Sequence, residues 1–160
     1  MTAWDNFFVA QVGASAALAG LLFVGISLNM NRIVQLPVLA DRALEALTLL
    51  FTILIAASLL LVPGIGFFEQ GVLMLATGAV AGAILTTLGA RVLRQTDRRW
   101  IAPHRWETAL IELVVVLYLA GGSVLVLYGS PGLFVLVPAV MLSYMIAILI
   151  AWVLLVEINR

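Results

Sequence analysis

Few side chains in this chain are able to do chemistry, and most of them are carboxylates. Glu112 lies inside a long apolar run, six residues after Trp106. At the rise of a helix that places it about 9 Å deeper along the axis. A carboxylate held in apolar surroundings needs a partner, a proton or water, and is by default a site hypothesis. Asn29, Arg42, Thr48 and Arg91 are expected at a similar depth and are the partners on offer. Two roles fit Glu112: structural pairing, or a proton or cation site. Asp41, Glu45, Thr48 and Thr52 recur at spacings of four, three and four, which puts them along one helix face. They form either a hydrogen-bonding seam or a set of local bonds, with each Thr bonded to the carbonyl four residues back and Glu45 paired with Arg42.

Other chemistries are poorly supplied. There is no Cys, which removes disulfides, thiolate catalysis and cysteine metal sites. His104 is the single histidine, placed after Pro103 in a basic segment, where a solvated loop residue is the plain reading. No phosphate loop and no metal-ligand spacing is present. We expect no catalytic residues, no cofactor and no metal.

The elements that carry these residues are apolar. Of 160 residues, 64% are hydrophobic and 10% charged, and the mean hydropathy is +1.21. A soluble domain is near half apolar and a quarter charged. The fold class expected is all-α: an integral membrane helical bundle in one domain over 1–160. Five apolar runs, about 7–29, 43–62, 70–91, 107–129 and 132–156, each suffice for a hydrocarbon core of about 30 Å. All eight basic residues are Arg. Arg32 and Arg42 fall between runs one and two, five more fall around 91–105, and Arg160 ends the chain. With five spans every Arg lies on one side, so the N-terminus is expected outside and the C-terminus inside. The first basic residue follows the first apolar run, so no cleaved signal peptide is expected.

The segment 91–106 contains Arg91, Arg94, Arg98, Arg99 and Arg105 with Trp100 and Trp106. It suits contact with anionic headgroups, at about 1 kcal/mol per basic residue, with Arg94, Arg98, Arg99 and Arg105 as the contacting residues. Topology already accounts for it, and nucleic-acid binding is not expected.

Small residues mark packing surfaces. In run one, Asn6, Gly13, Ala17, Gly20, Val24, Ser27 and Asn31 share a helix side, while Gln11, Ser15, Gly25 and Asn29 lie nearly opposite. Polar groups in lipid seek internal partners, and small residues let backbones approach. This helix is therefore expected to touch protein on two sides, either as the innermost element or by also meeting a neighbouring subunit. The faces are packing seams or a water-lined path. In run three, Gly71, Gly78, Gly82 and Gly89 stack within a sector of about 40°, and Gly78 and Gly82 form a GxxxG pair. The partner of that ridge is not readable. Run two is expected to open after Pro37 with Asp41 as its cap, and Ser130 and Pro131 to start run five. Pro138 predicts a kink. Ala139, Ser143, Ala147 and Ala151 form a further small-residue ladder.

AQVGASAALAGLLFVGISLNMNRI (10–33), LPVLADRALEALTLL (36–50) and LLVPG (60–64) resemble a group of small bacterial multi-pass inner-membrane proteins of unassigned function. The resemblance covers roughly the first 64 residues. It implies a bacterial inner-membrane setting and carries no site residues across.

The expected function is therefore that of a non-enzymatic membrane protein. It assembles through small-residue faces, as a homo-oligomer or as a subunit or regulator of a membrane complex. The alternative is an oligomeric ion channel or transport protein with Glu45, Glu107 and Glu112 at an acidic cytoplasmic vestibule. Membrane lipids and other membrane proteins are the expected partners.

Overall fold

An apolar segment that leaves water closes its backbone hydrogen bonds most simply within itself, as a helix. The computed structural model, which describes residues 3–95 and 101–158, is helical almost throughout. In chain order the elements are α1 (Ala3–Leu28), α2 (Met30–Gln35), α3 (Pro37–Leu60), α4 (Phe67–Gln95), α5 (Ile101–Tyr128) and α6 (Pro131–Ile158). All but α2 are long and apolar enough to cross a membrane. The shortest of these five has 24 residues, or about 36 Å at 1.5 Å per residue.

Local chemistry sets the ends. Pro37 occupies the first turn of α3, where its missing N–H costs nothing and its fixed φ suits the helix. That start is six residues earlier than the expected 43 and corrects the reading of Asp41 as a cap. Asp41 and Arg42 lie inside α3, and both are buried. Gly64 and Gly129 adopt positive φ, 82° and 75°, in the turns before α4 and α6. Pro131 opens α6, and Ser130 contributes its backbone carbonyl, which accepts from the Leu133 N–H at 3.1 Å. α6 runs as one uninterrupted helix through Pro138.

The helices pack as a ring. α3 lies against α4, α4 against α5, α5 against α6, and α6 returns to α3, while α1 leans on α3 from outside. Burial follows: 56% of the α3 span is buried, against 22% for α1. The first helix is thus not the innermost element, and α3 takes that place. Ala46, Leu49 and Ile53 of α3 are wholly buried, because three helices cover α3 from different sides. α1 is clasped at one end by Trp4, whose ring meets Phe134 of α6 edge-on at 4.9 Å. Towards its other end an apolar cleft of about 250 Å³ opens between α1 and α6, walled by residues such as Leu22, Gly25, Ala147 and Ala151.

The glycine ridge of α4 meets α5 of the same chain. A Cβ at Gly71 would lie 2.9 Å from the Gly122 carbonyl oxygen, and one at Gly82 would lie 2.7 Å from Val115 Cγ1. Gly78 faces Tyr118 and Leu119, and Gly89 faces Thr108. The GxxxG pair is therefore spent inside the subunit. α5 repeats the device towards α6, where a Cβ at Gly132 would lie 2.8 Å from the Gly121 carbonyl oxygen.

Candidate functional site: a buried charge cluster and an uncovered helix face

The early start of α3 draws Asp41, Arg42 and Glu45 into the protein, at 8%, 3% and 4% exposure. Arg42 Nη1 donates to Glu107 Oε2 of α5 at 2.8 Å. Gln95 Nε2 of α4 donates to Asp41 Oδ2 at 3.3 Å. The third carboxylate, Glu45, lies beside Gly89, where a Cβ would stand 3.8 Å from Glu45 Oε1 and 3.2 Å from Thr108 Cγ2. The missing side chain at Gly89 is what makes room there. Two helices, α3 and α5, thus bring three carboxylates around one guanidinium at the Arg-bearing end of the bundle, and α4 adds the Gln95 amide. Glu45 receives no hydrogen bond among the described residues, and Arg42 Nε is buried without an acceptor. Among the described residues no group of three or more acidic or His side chains is placed to hold a metal ion.

Of the residues singled out from sequence, Asp41, Arg42, Glu45 and Glu107 belong to this cluster. Glu112 is half-buried on α5 and makes no hydrogen bond or ion pair among the described residues. Arg91 is exposed and does not pair with it. Thr48 donates to the Leu44 carbonyl at 2.7 Å, and Thr52 to that of Thr48 at 2.7 Å. These are the local back-bonds, not a seam between helices. Asn29 Nδ2 donates to the Gly25 carbonyl at 2.9 Å, at the break between α1 and α2. The alternative pairing of Glu45 with Arg42 is corrected, since the ion pair of Arg42 is with Glu107. Arg94 and Arg105 are exposed, whereas the side chains of Arg98, Arg99, Trp100 and His104 lie outside the described residues.

Sequence reasoning placed Arg42 between runs one and two and offered it as a partner to Glu112 or Glu45, and it passed over Gln95. The available signal was Pro37, which sets the helix start early enough to carry Arg42 inside. Nothing local marks Glu107 as its partner, because that pairing depends on how α5 sits against α3.

A second polar group lies deeper. Tyr144 of α6 donates to the Gln11 carbonyl of α1 at 3.0 Å, and Ser15 donates to the same oxygen at 2.7 Å. Ser143 is buried and bonds to the Ala139 carbonyl. The hydroxyl of Tyr118, a residue 1% exposed, lies towards the Ser143 hydroxyl but makes no well-formed hydrogen bond among the described residues.

α1 divides as its periodicity implies. Gln11 and Ser15 face inward and are buried. On the other side Asn6, Gly13, Ala17, Gly20, Val24 and Ser27 are all exposed, as is Asn31 beyond the helix end. A Cβ at Gly13 or Gly20 would meet nothing within 4 Å. These two glycines, expected to pack, do not pack within the chain. The Gly and Ala of this face would permit a close approach that no described element of the same chain makes.

Fold and site together define an all-helical bundle with five helices fit to cross a membrane, a buried charge cluster at one end and one uncovered small-residue face. No protein-family model, curated protein or solved structure matches the chain.

Proposed function

We propose that the protein is a non-enzymatic membrane subunit that self-associates through the outward face of α1. The observation that carries this reading is the exposure of Asn6, Gly13, Ala17, Gly20 and Ser27 along one side. Lipid offers nothing to an Asn or Ser side chain, whereas a second helix offers hydrogen-bond partners and close dispersion contact. A second copy of α1, presenting the same stripe, is self-complementary about a two-fold axis. The glycine ridge of α4 is excluded from this role, because α5 already covers it.

In this reading the Arg-bearing end faces the cytoplasm of a bacterial cell. The chain crosses the inner membrane five times, and Arg94, Arg98, Arg99 and Arg105 meet anionic headgroups. No cofactor or nucleic acid takes part. Native mass spectrometry of the full chain released from nanodiscs tests the proposal. Dimers or larger rings that collapse to monomers in Gly13→Leu/Gly20→Leu are expected. Monomers only, or assemblies indifferent to that variant, overturn it. Stoichiometric co-purification with an unrelated membrane complex transfers the same face to a different partner.

Glu112 favours a second reading, ion or proton conduction by the oligomer, because this half-buried carboxylate has no partner among the described residues. Proton and cation flux into liposomes, compared between the wild type and Glu112→Gln, decides it. A genuine flux that Glu112→Gln leaves unchanged removes the role.

A further inference from the structure

We propose that Glu45 is a proton-binding site, and that its proton decides how Arg42 is shared between α3 and α5. The argument is a count of donors and acceptors. Asp41, Glu45 and Glu107 are three carboxyl groups, and Arg42 is the one guanidinium among them. The Arg42 Nη1 donor goes to Glu107 at 2.8 Å. Gln95 supplies a neutral donor to Asp41. That leaves Glu45, 4% exposed, with no hydrogen bond among the described residues. Asp41 and Arg42 lie four and three residues before it on α3, and Glu107 of α5 reaches the same Arg42. α4 faces the cluster with Gly89 and the neutral amide of Gln95, and α5 adds the hydroxyl of Thr108 near Gly89. Burial itself disfavours the Glu45 anion, and Arg42 meets three carboxyl groups with a single positive charge. A buried carboxylate in that position neutralises itself by taking up a proton.

The second observation is the orphaned Arg42 Nε, buried without an acceptor and three residues from Glu45 on the same helix. Once Glu45 releases its proton, the new anion attracts the guanidinium one helical turn away, whose Nε is unspent, and turning it towards Glu45 draws Nη1 from Glu107. Glu107 is 38% exposed, so it is the partner able to turn to water instead. Protonated Glu45 leaves the α3–α5 ion pair intact, and ionised Glu45 weakens it. The proton enters from the side of Glu107, the water-facing member of the cluster. This inference does not depend on self-association through α1.

Infrared difference spectroscopy of the full chain in nanodiscs, stepped from neutral to alkaline pH, reads the proton directly. The expected result is a neutral carboxylic-acid carbonyl band at neutral pH that fades at alkaline pH. The band is absent from Glu45→Gln and retained in Glu112→Gln. A wild type without the band, or a band that Glu45→Gln keeps, overturns the proposal. Should Glu45→Gln fail to fold, the Glu112→Gln and Glu107→Gln proteins decide by subtraction, since loss of the band in either assigns the proton elsewhere. Hydrogen exchange on the wild type tests the coupling. After correction for intrinsic rates, backbone exchange at 107–111 is expected to rise several-fold as the band fades, and exchange indifferent to that fading overturns the switch.

Discussion

Arg42 Nη1 donates to Glu107 Oε2 at 2.8 Å across 65 positions of sequence, and the two ends of that ion pair live in different surroundings. Arg42 is 3% exposed and Glu107 38%. The guanidinium is captive, whereas the carboxylate is open to the outside of the protein.

This asymmetry predicts unequal costs of removal. Arg42→Met strands Asp41 in the interior with no cation and leaves Glu107 unpaired, and we expect a loss of about 3 kcal/mol. Glu107→Gln keeps an acceptor at a half-wet position and is expected to cost about 1 kcal/mol. Reversible unfolding in mixed micelles measures both. Equal costs, or the opposite ranking, contradict the geometry.

The glycines separate into two classes by what surrounds them. Gly71→Ala and Gly122→Ala push a methyl group into the backbone of the facing helix, and each is expected to destabilise by about 1–3 kcal/mol. Gly13→Ala and Gly20→Ala meet no atom within 4 Å in their own chain. They are expected to leave the unfolding midpoint of the isolated monomer unchanged or slightly raised. Thermal unfolding of the four variants, at a detergent concentration that holds the protein monomeric, makes the comparison.

The two buried phenols offer a sharper contrast. Tyr144 donates to the Gln11 carbonyl at 3.0 Å, so Tyr144→Phe is expected to cost about 1 kcal/mol. It also loosens α1, since this bond ties α6 to it. The Tyr118 hydroxyl makes no well-formed hydrogen bond among the described residues, and Tyr118→Phe is expected to be neutral or stabilising. Paired unfolding curves test the difference. A larger loss for Tyr118→Phe than for Tyr144→Phe refutes it.

In the proposed five-span topology the chain ends lie on opposite sides of the bilayer. Tags at residues 1 and 160, probed in intact and permeabilised cells, are expected to differ in accessibility, with the C-terminal tag protected in intact cells. Both tags in one compartment would remove the five-span reading.

The primary sequence carried a great deal of this by composition and spacing. Runs of 20 or more apolar residues force helices whatever their neighbours do, because a backbone out of water must bond to itself. The glycine spacing of α4 announced a close contact, and the two-sided character of α1 was legible from its periodicity. What covers each face was not legible. The ridge at Gly71, Gly78, Gly82 and Gly89 found α5, while the equally small face of α1 found nothing, and no local feature separates the two cases. Likewise Glu45 and Thr48 lay on one face in any helical reading. Yet only the packing of α3, α4 and α5 decided that Glu45 would be buried with Asp41, Arg42 and Glu107, and that Glu112 would stand apart. A residue's helical face follows from its own neighbours in sequence. Its partner depends on where distant helices come to rest, which is a balance of packing over the whole bundle.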